Sequence, residues 1–287
     1  MINERAAPSS CNAHLIYRAL QGSHKSAMLL RMPSVANLAL AIGPLLLGYV
    51  IGWASPRVRQ QVRTRRARRF WRPFTRLGQL QVISGGHRLD SWETSGLAGI
   101  GDVKAVEELQ EAFFQNGLGR LPVTYSTSRS VALIKDKDLI LIGGPDANWV
   151  TSEVTSQLPG RFRFGDEKRH IVSITDQVTG DTYPEFQAGA NDQDAGVIKM
   201  MPNPFYPHNR LLVIAGSFGH GTLAGVQLTR EKEFLSHPVV ATNQFFECLF
   251  RVRIIADEPL PAEIIKIEPF PMNNSPSSHS HPTRPLW

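Results

Sequence analysis

"DLILIGGPDANWVTSEV", residues 138–154, decides the fold. The four residues after Asp138, Leu139 to Ile142, are wholly apolar, as a strand covered on both faces of a parallel sheet requires. Gly143, Gly144 and Pro145 then turn the chain. Asn148 opens an amphipathic segment that Pro159 and Gly160 end, so the stretch reads strand, loop, helix. The same grammar recurs on either side. "QLQVISGG" (79–86) is a strand ending in glycines, and "RLLVIAGSFGHGTLAGVQLT" (210–229) is an apolar strand, a glycine loop and a helix. Between the first two lies "GDVKAVEELQEAFFQNG" (101–117), an amphipathic helix with Asp102 as its expected N-cap. Its apolar face is Val103, Val106, Leu109 and Phe113, and Gly117 supplies the stop. "LPVTYSTS" (121–128) reads as a second strand.

Further along, "RHIVSITDQVTGDTYPEFQ" (169–187) predicts a β-hairpin turning at Thr179–Asp181. "AGVIKMM" (195–201) is a strand running into the proline-stiffened "PNPFYPHN" (202–209). "FFECLFRVRII" (245–255) and "AEIIKIEPF" (262–270) read as closing strands. Strand–helix alternation with apolar central strands predicts a three-layer, Rossmann-like α/β fold with a mainly parallel sheet and an added hairpin.

The net charge of +6 divides unevenly. Residues 1–76 hold 13 Lys and Arg against Glu4 alone, whereas residues 77–287 hold 18 basic and 24 acidic side chains. The folded part is therefore acidic, which argues against a nucleic-acid partner. "SVANLALAIGPLLLGYVIGWA" (34–54) carries no charge and would reach roughly 31 Å as a helix, about the hydrocarbon thickness of a bilayer. Nine arginines follow it, from Arg57 to Arg76, so the positive-inside rule leaves the chain beyond it in the cytoplasm. The expected organisation is a disordered tail (1–33), one transmembrane helix (34–54), a basic juxtamembrane segment (55–78), a cytoplasmic α/β domain (79–270) and a disordered Pro/Ser-rich tail (271–287). Translation could start at Met1, Met28 or Met32. The expected partners of the arginines are anionic lipid headgroups, with Phe70 and Trp71 dipping into the interface. Cys11 and Cys248 form no ligand set, and His279 and His281 lack a second ligand pair, so no metal is expected.

Ligands of such sheets bind beyond the carboxyl ends of the strands. Three loops meet that description: Gly85-Gly86, Gly143-Gly144-Pro145 and Gly216 to Gly221, the last including Gly219. Glycine admits close approach of backbone, and free N–H groups at a helix start favour an anion. Asn148 and Thr222 either cap the following helices or turn to the ligand. None of the loops matches the P-loop or the dinucleotide fingerprint, and nothing specifies a cofactor. Carboxylates at this edge are Asp90, Glu93 and Asp146, with His220 in the third loop; as general base or nucleophile they suit an N-glycosidic bond. As caps or solvated charges they would do no chemistry.

"LIGGPDAN", "MPNPF" and "AGSFGHGTLAG" together resemble a set of bacterial Rossmann-like domains in which a GGPxxN loop precedes PNPF and GxGT elements. The matching positions are Gly143, Gly144, Pro145, Asn148, Pro202, Asn203, Pro204, Phe205, Gly219, Gly221 and Thr222, over about residues 79–230. The resemblance implies the fold and the cleft and carries no catalytic role. Three functions follow as alternatives: a membrane-anchored sensor or effector domain that binds a nucleotide-like or phosphorylated small molecule, an N-glycoside hydrolase or transferase using Glu93 or Asp146, and a membrane-tethered scaffold for a protein partner.

Overall fold

The computed structural model describes residues 49, 65–74, 80–89, 93–127, 135–165, 173–184 and 192–271. Contacts divide the chain after Ser55, and the elements below belong to the unit that starts at Pro56. In chain order they are helical residues 65–74 (α1), β1 (Leu80–Ser84), β2 (His87–Leu89), β3 (Glu93–Leu97), α2 (Ile100–Gln115), β4 (Val123–Tyr125) and β5 (Asp138–Ile142). Then come α3 (Trp149–Gln157), β6 (Phe162–Phe164), β7 (Ile174–Asp176), β8 (Thr182–Tyr183), β9 (Gln193–Pro202), β10 (Arg210–Gly216) and α4 (Gly219–Leu228). α5 (Lys232–Ser236), α6 (Pro238–Ala241), β11 (Phe246–Ile255), β12 (Glu258–Pro259) and β13 (Glu263–Pro269) complete the unit.

An eight-stranded sheet runs in the order β12-β11-β9-β10-β5-β1-β4, with β13 also paired to β11. Its centre is parallel: β4, β1, β5 and β10 point the same way, and antiparallel β9, β11, β12 and β13 extend it. The fold is mixed α/β and compatible with a Rossmann-like one. Strands β1, β5 and β10 are mostly apolar because both their faces are covered, with Gln81, Ser84, Asp138 and Arg210 as the polar exceptions. Side chains alternate accordingly. Val82, Ile140, Ile142, Leu212 and Ile214 join Val106, Leu109 and Phe113 of α2 and Ala224 and Val226 of α4 on one face. Ile83, Leu139, Leu141 and Val213 meet Val150 and Val154 of α3 on the other. On that second face, Phe162 of β6 and Ile174 of β7 cover Val197 of β9 and Leu249 of β11. The expected hairpin is β7–β8, to which β6 adds a third antiparallel strand.

The arginine-rich segment differs from its sequence reading. Phe70, Trp71 and Phe74 do not lie at a membrane interface: they are buried with Ala67 in the core beside Phe113, Phe234 and Phe246. Trp71 packs at 4.8 Å from the Phe113 ring centroid and 4.7 Å from that of Phe70. Burial of aromatic area on this scale outweighs an interfacial position for the same rings, so α1 belongs to the folded domain rather than to a linker before it. Its arginines are displayed on the opposite side, with Arg65, Arg68, Arg69 and Arg72 exposed. Among the described residues no helix is long and apolar enough to cross a membrane. The expected span, 34–54, lies outside the described residues except for Tyr49, and both expected tails lie outside them except for Pro271.

Candidate crevice at the carboxyl ends of the strands

Numbered by appearance in the chain, the parallel strands stand in the order second, first, third, fourth. The order reverses between β1 and β5, and the helices that follow these two strands pack on opposite faces. A sheet of this order is expected to hold its crevice at that switch point; the strand ends themselves, Ser84, Gly85 and Gly143 to Pro145, are buried. All three glycine loops fall at this edge, as the sequence predicts, because β1, β5 and β10 are parallel neighbours.

What the glycines admit is a side chain of the protein itself. A β-carbon at Gly85 would lie 2.7 Å from Asp102 Oδ2, and one at Gly143 would lie 2.9 Å from the same oxygen. Gly143 also sits at φ +100°, where an L side chain is strained. Asp102 is not the N-cap of α2: that position is Gly99, without a side-chain bond, and Asp102 stands in the first turn with its carboxylate over β1 and β5. Burial raises its pKa to about 6, with Asp146 adding repulsion, while a Thr222 hydrogen bond and His87 act the other way. Ser84 ends β1 two residues after Val82, on the α2 side; its hydroxyl is buried and has no partner among the described residues.

The third loop is arranged differently. Asp194 of β9 accepts N–H groups from Ala195 (2.7 Å), Phe218 (3.1 Å) and Gly221 (2.5 Å), so a built-in carboxylate occupies the amide nest that the sequence offers to an anion. Burial outweighs these bonds and lifts Asp194 to about 7. Thr222 Oγ1 accepts the Gly216 N–H at 3.0 Å. Gly219 serves helix packing, for a β-carbon there would come within 3.0 Å of the Gly101 Cα in α2. Asn148 is fully buried. Its Oδ1 accepts from Val150 and Thr151, and its Nδ2 donates to the carbonyls of Ile83 and Ile142, both at 3.0 Å. It caps α3 and ties the ends of β1 and β5 together, with no hydrogen-bonding position left for a ligand. Pro145 and Gly144 are buried beneath Asp146, whose Oδ1 would meet a Gly144 β-carbon at 2.7 Å.

The remaining candidates separate. Asp146 is exposed at the crevice, Gly86 is half-buried beside it, and His220 is half-buried in the first turn of α4. Glu93 begins β3 rather than sitting in a loop, and Asp90 lies outside the described residues. The PNPF element is at the opposite end of the sheet. Asn203 donates to the carbonyls of Lys135 and Lys137 (2.8 Å each), just before β5 begins, and accepts from Phe205 N. Pro202, Pro204 and Phe205 thus close a turn and do not line the crevice.

The sequence reading missed the rim. Leu97, Ile100, Tyr125, Trp149 and Phe218 end or begin elements at this edge and stay exposed, Ile100 at 77% and Phe218 at 48%. Trp149 is fixed by its Nε1–H, which donates to the Ser126 carbonyl at 2.5 Å. Each residue alone is an ordinary helix-start or strand-end residue, and only the parallel topology gathers them. Among the described residues no group of His, Cys, Asp and Glu could hold a metal.

The site and fold define a mixed α/β domain with an acidic, aromatic-rimmed crevice. No protein-family model matches the chain, and no curated protein matches it at a significant level.

Proposed function

We propose that the chain is a single-pass membrane protein whose cytoplasmic domain binds a nucleotide-like or phosphorylated small molecule in the β1–β5 crevice, as a sensor or effector. The observation that carries the reading is Asp102, a buried carboxylate whose pKa burial raises to about 6, placed at the switch point beneath an aromatic rim. A carboxylate in contact repels phosphate, so the group that meets Asp102 is a hydroxyl or N–H, as a ribose or base presents. Trp149 and Phe218 offer faces for stacking. A phosphate lies outward, toward the first N–H groups of α2, which carry no side-chain cap. The anchor is residues 34–54, and the exposed arginines of α1 favour anionic headgroups. Calorimetry of the full-length chain against nucleosides, nucleotides and nucleotide sugars tests the reading. Saturable heat is expected, with a loss of about ten-fold or more in affinity for Asp102→Asn. Heat from none of them overturns it.

One observation favours the enzymatic alternative, an N-glycoside hydrolase or transferase. A carboxyl with a pKa of about 6 beside a second, exposed carboxylate suits general acid–base work near neutral pH. In that case Asp102, rather than Glu93, is the acid, with Asp146 as its partner. Release of free base from a bound nucleotide, lost in Asp102→Asn, supports it; turnover that survives that substitution rules it out.

A further inference from the structure

We propose that the groove between α1 and the α5–α6 pair is a second ligand site, which binds a phosphate group that keeps a hydroxyl. The arginine run of the sequence is not a uniform basic tail in the fold. Because Ala67, Phe70, Trp71 and Phe74 face the core, Arg66 and Arg69 are brought to the wall of one groove of about 200 Å³. Ser236 and Asn243 line it too, over an apolar floor that includes Phe70 and Leu235, and among the described residues no carboxylate lines it. Two guanidinium groups that cannot lose their protons, with no counter-charge on the groove wall, select an anion.

Two details define which anion. Arg66 Nη1 donates to Ser236 Oγ at 2.8 Å, and Ser236 Oγ donates onward to the Lys232 carbonyl at 2.6 Å, so the guanidinium is held against the wall. Asn243, at φ +55°, points its Nδ2 toward the Arg69 carbonyl (3.4 Å), which fixes the amide orientation. Its Oδ1 is then buried without a partner among the described residues. An acceptor in that place repels a fully deprotonated oxygen and takes a hydroxyl. At neutral pH inorganic phosphate and phosphomonoesters still carry a P–OH in part, whereas sulfate carries none. The groove therefore fits phosphate and disfavours sulfate. In sequence α1 follows the expected membrane segment, so the phosphate comes either from a phosphomonoester lipid headgroup or from a soluble phosphate. The site is independent of the crevice, and failure at one leaves the other standing.

The test uses the full-length chain in phosphatidylcholine bilayers at pH 7, with inorganic phosphate and sulfate as probes. Calorimetry measures affinity, and hydrogen exchange measures protection of residues 232–243. Expected are saturable phosphate binding with protection of that segment, and sulfate binding about ten-fold weaker or worse. Arg69→Gln loses about ten-fold in phosphate affinity. Arg65→Gln removes the same charge from the same helix outside the groove and changes affinity less than about two-fold. Unchanged unfolding midpoints show that both variants fold. No saturation, equal binding of the two anions, or equal losses in the two variants overturns the proposal. Replacing one-fifth of the lipid by phosphatidic acid separates the sources, with phosphatidylserine in the same proportion as the control for surface charge. Competition with soluble phosphate by phosphatidic acid alone assigns the site to the headgroup; absence of competition assigns it to soluble phosphate.

Discussion

Two buried ionic groups show what a structural charge and a candidate working charge look like in this molecule. Lys199, in the middle of β9, is fully buried, and every part of it is answered: Nζ donates to the carbonyls of Pro159 (2.7 Å) and Phe162 (2.5 Å) and lies 2.9 Å from Glu247 Oε1. Glu247 Oε2 accepts the Arg161 N–H at 2.7 Å, and Arg161 in turn holds Asp176 bidentately at 2.6 and 2.7 Å. This network fastens the β6–β7–β8 layer to the sheet. Asp102 is comparably hidden, yet among the described residues its side-chain hydrogen bond comes from the Thr222 hydroxyl alone, and a second carboxylate, Asp146, repels it. A buried charge that is fully paired holds a fold together; one that is under-paired beside a crevice costs stability that a fold does not require.

That contrast can be broken or sharpened by substitution. The largest effect is expected at Lys199→Met, which leaves Glu247 buried without its counter-charge and should cost about 3–5 kcal/mol in denaturant unfolding. Lys199→Met/Glu247→Leu should recover most of this. A double variant as unstable as the single one would show that the pair is not the cause. Asp102→Asn should act in the opposite direction. Its carboxyl ionises near 3.8 when unfolded and near 6 in the fold, so the native state disfavours the charge at neutral pH. At about 1.4 kcal/mol per pH unit, removing the charge should stabilise by up to roughly 3 kcal/mol above pH 6. The gain should shrink as pH falls from 6 and vanish near 4. A variant less stable than wild type at pH 7.5 would mean that Asp102 is structural after all.

Gly143→Ala comes next, at about 2 kcal/mol, because the new methyl meets both the positive φ and the Asp102 carboxylate. Combining it with Asp102→Ala should relieve part of the cost, and strict additivity would separate the two causes. Trp149→Ala is the smallest in stability, about 1 kcal/mol, since the ring is nearly half exposed and loses its hydrogen bond to the Ser126 carbonyl. It should nonetheless weaken a stacked ligand by about 1 kcal/mol or more, read by calorimetry.

The central strands and the helices α2, α3 and α4 were legible because their evidence is local, whereas α1, β2, β3, β6, α5 and α6 were not. The apolar runs of β1, β5 and β10 and the 3.6-residue period of α2 state their burial directly. The glycine loops were legible as turns, and the parallel order brought their ends to one edge. Their purpose was not. Gly85 and Gly143 make room for Asp102, Gly219 for Gly101, and the Gly221 amide is taken by Asp194, which lies 27 residues away in sequence. PNPF, grouped with those loops by motif, is at the far end of the sheet because β9 runs antiparallel to β10.

By itself the sequence determined where segments are apolar, where the backbone must turn and how charge is divided along the chain, since each depends on residues near one another in the chain. Only the tertiary structure decided which of α1's residues face the core, which carboxylates are buried and which aromatic rings meet at one rim. Those outcomes depend on desolvation and contact between residues far apart in sequence, and no local pattern encodes the partner that answers a buried charge.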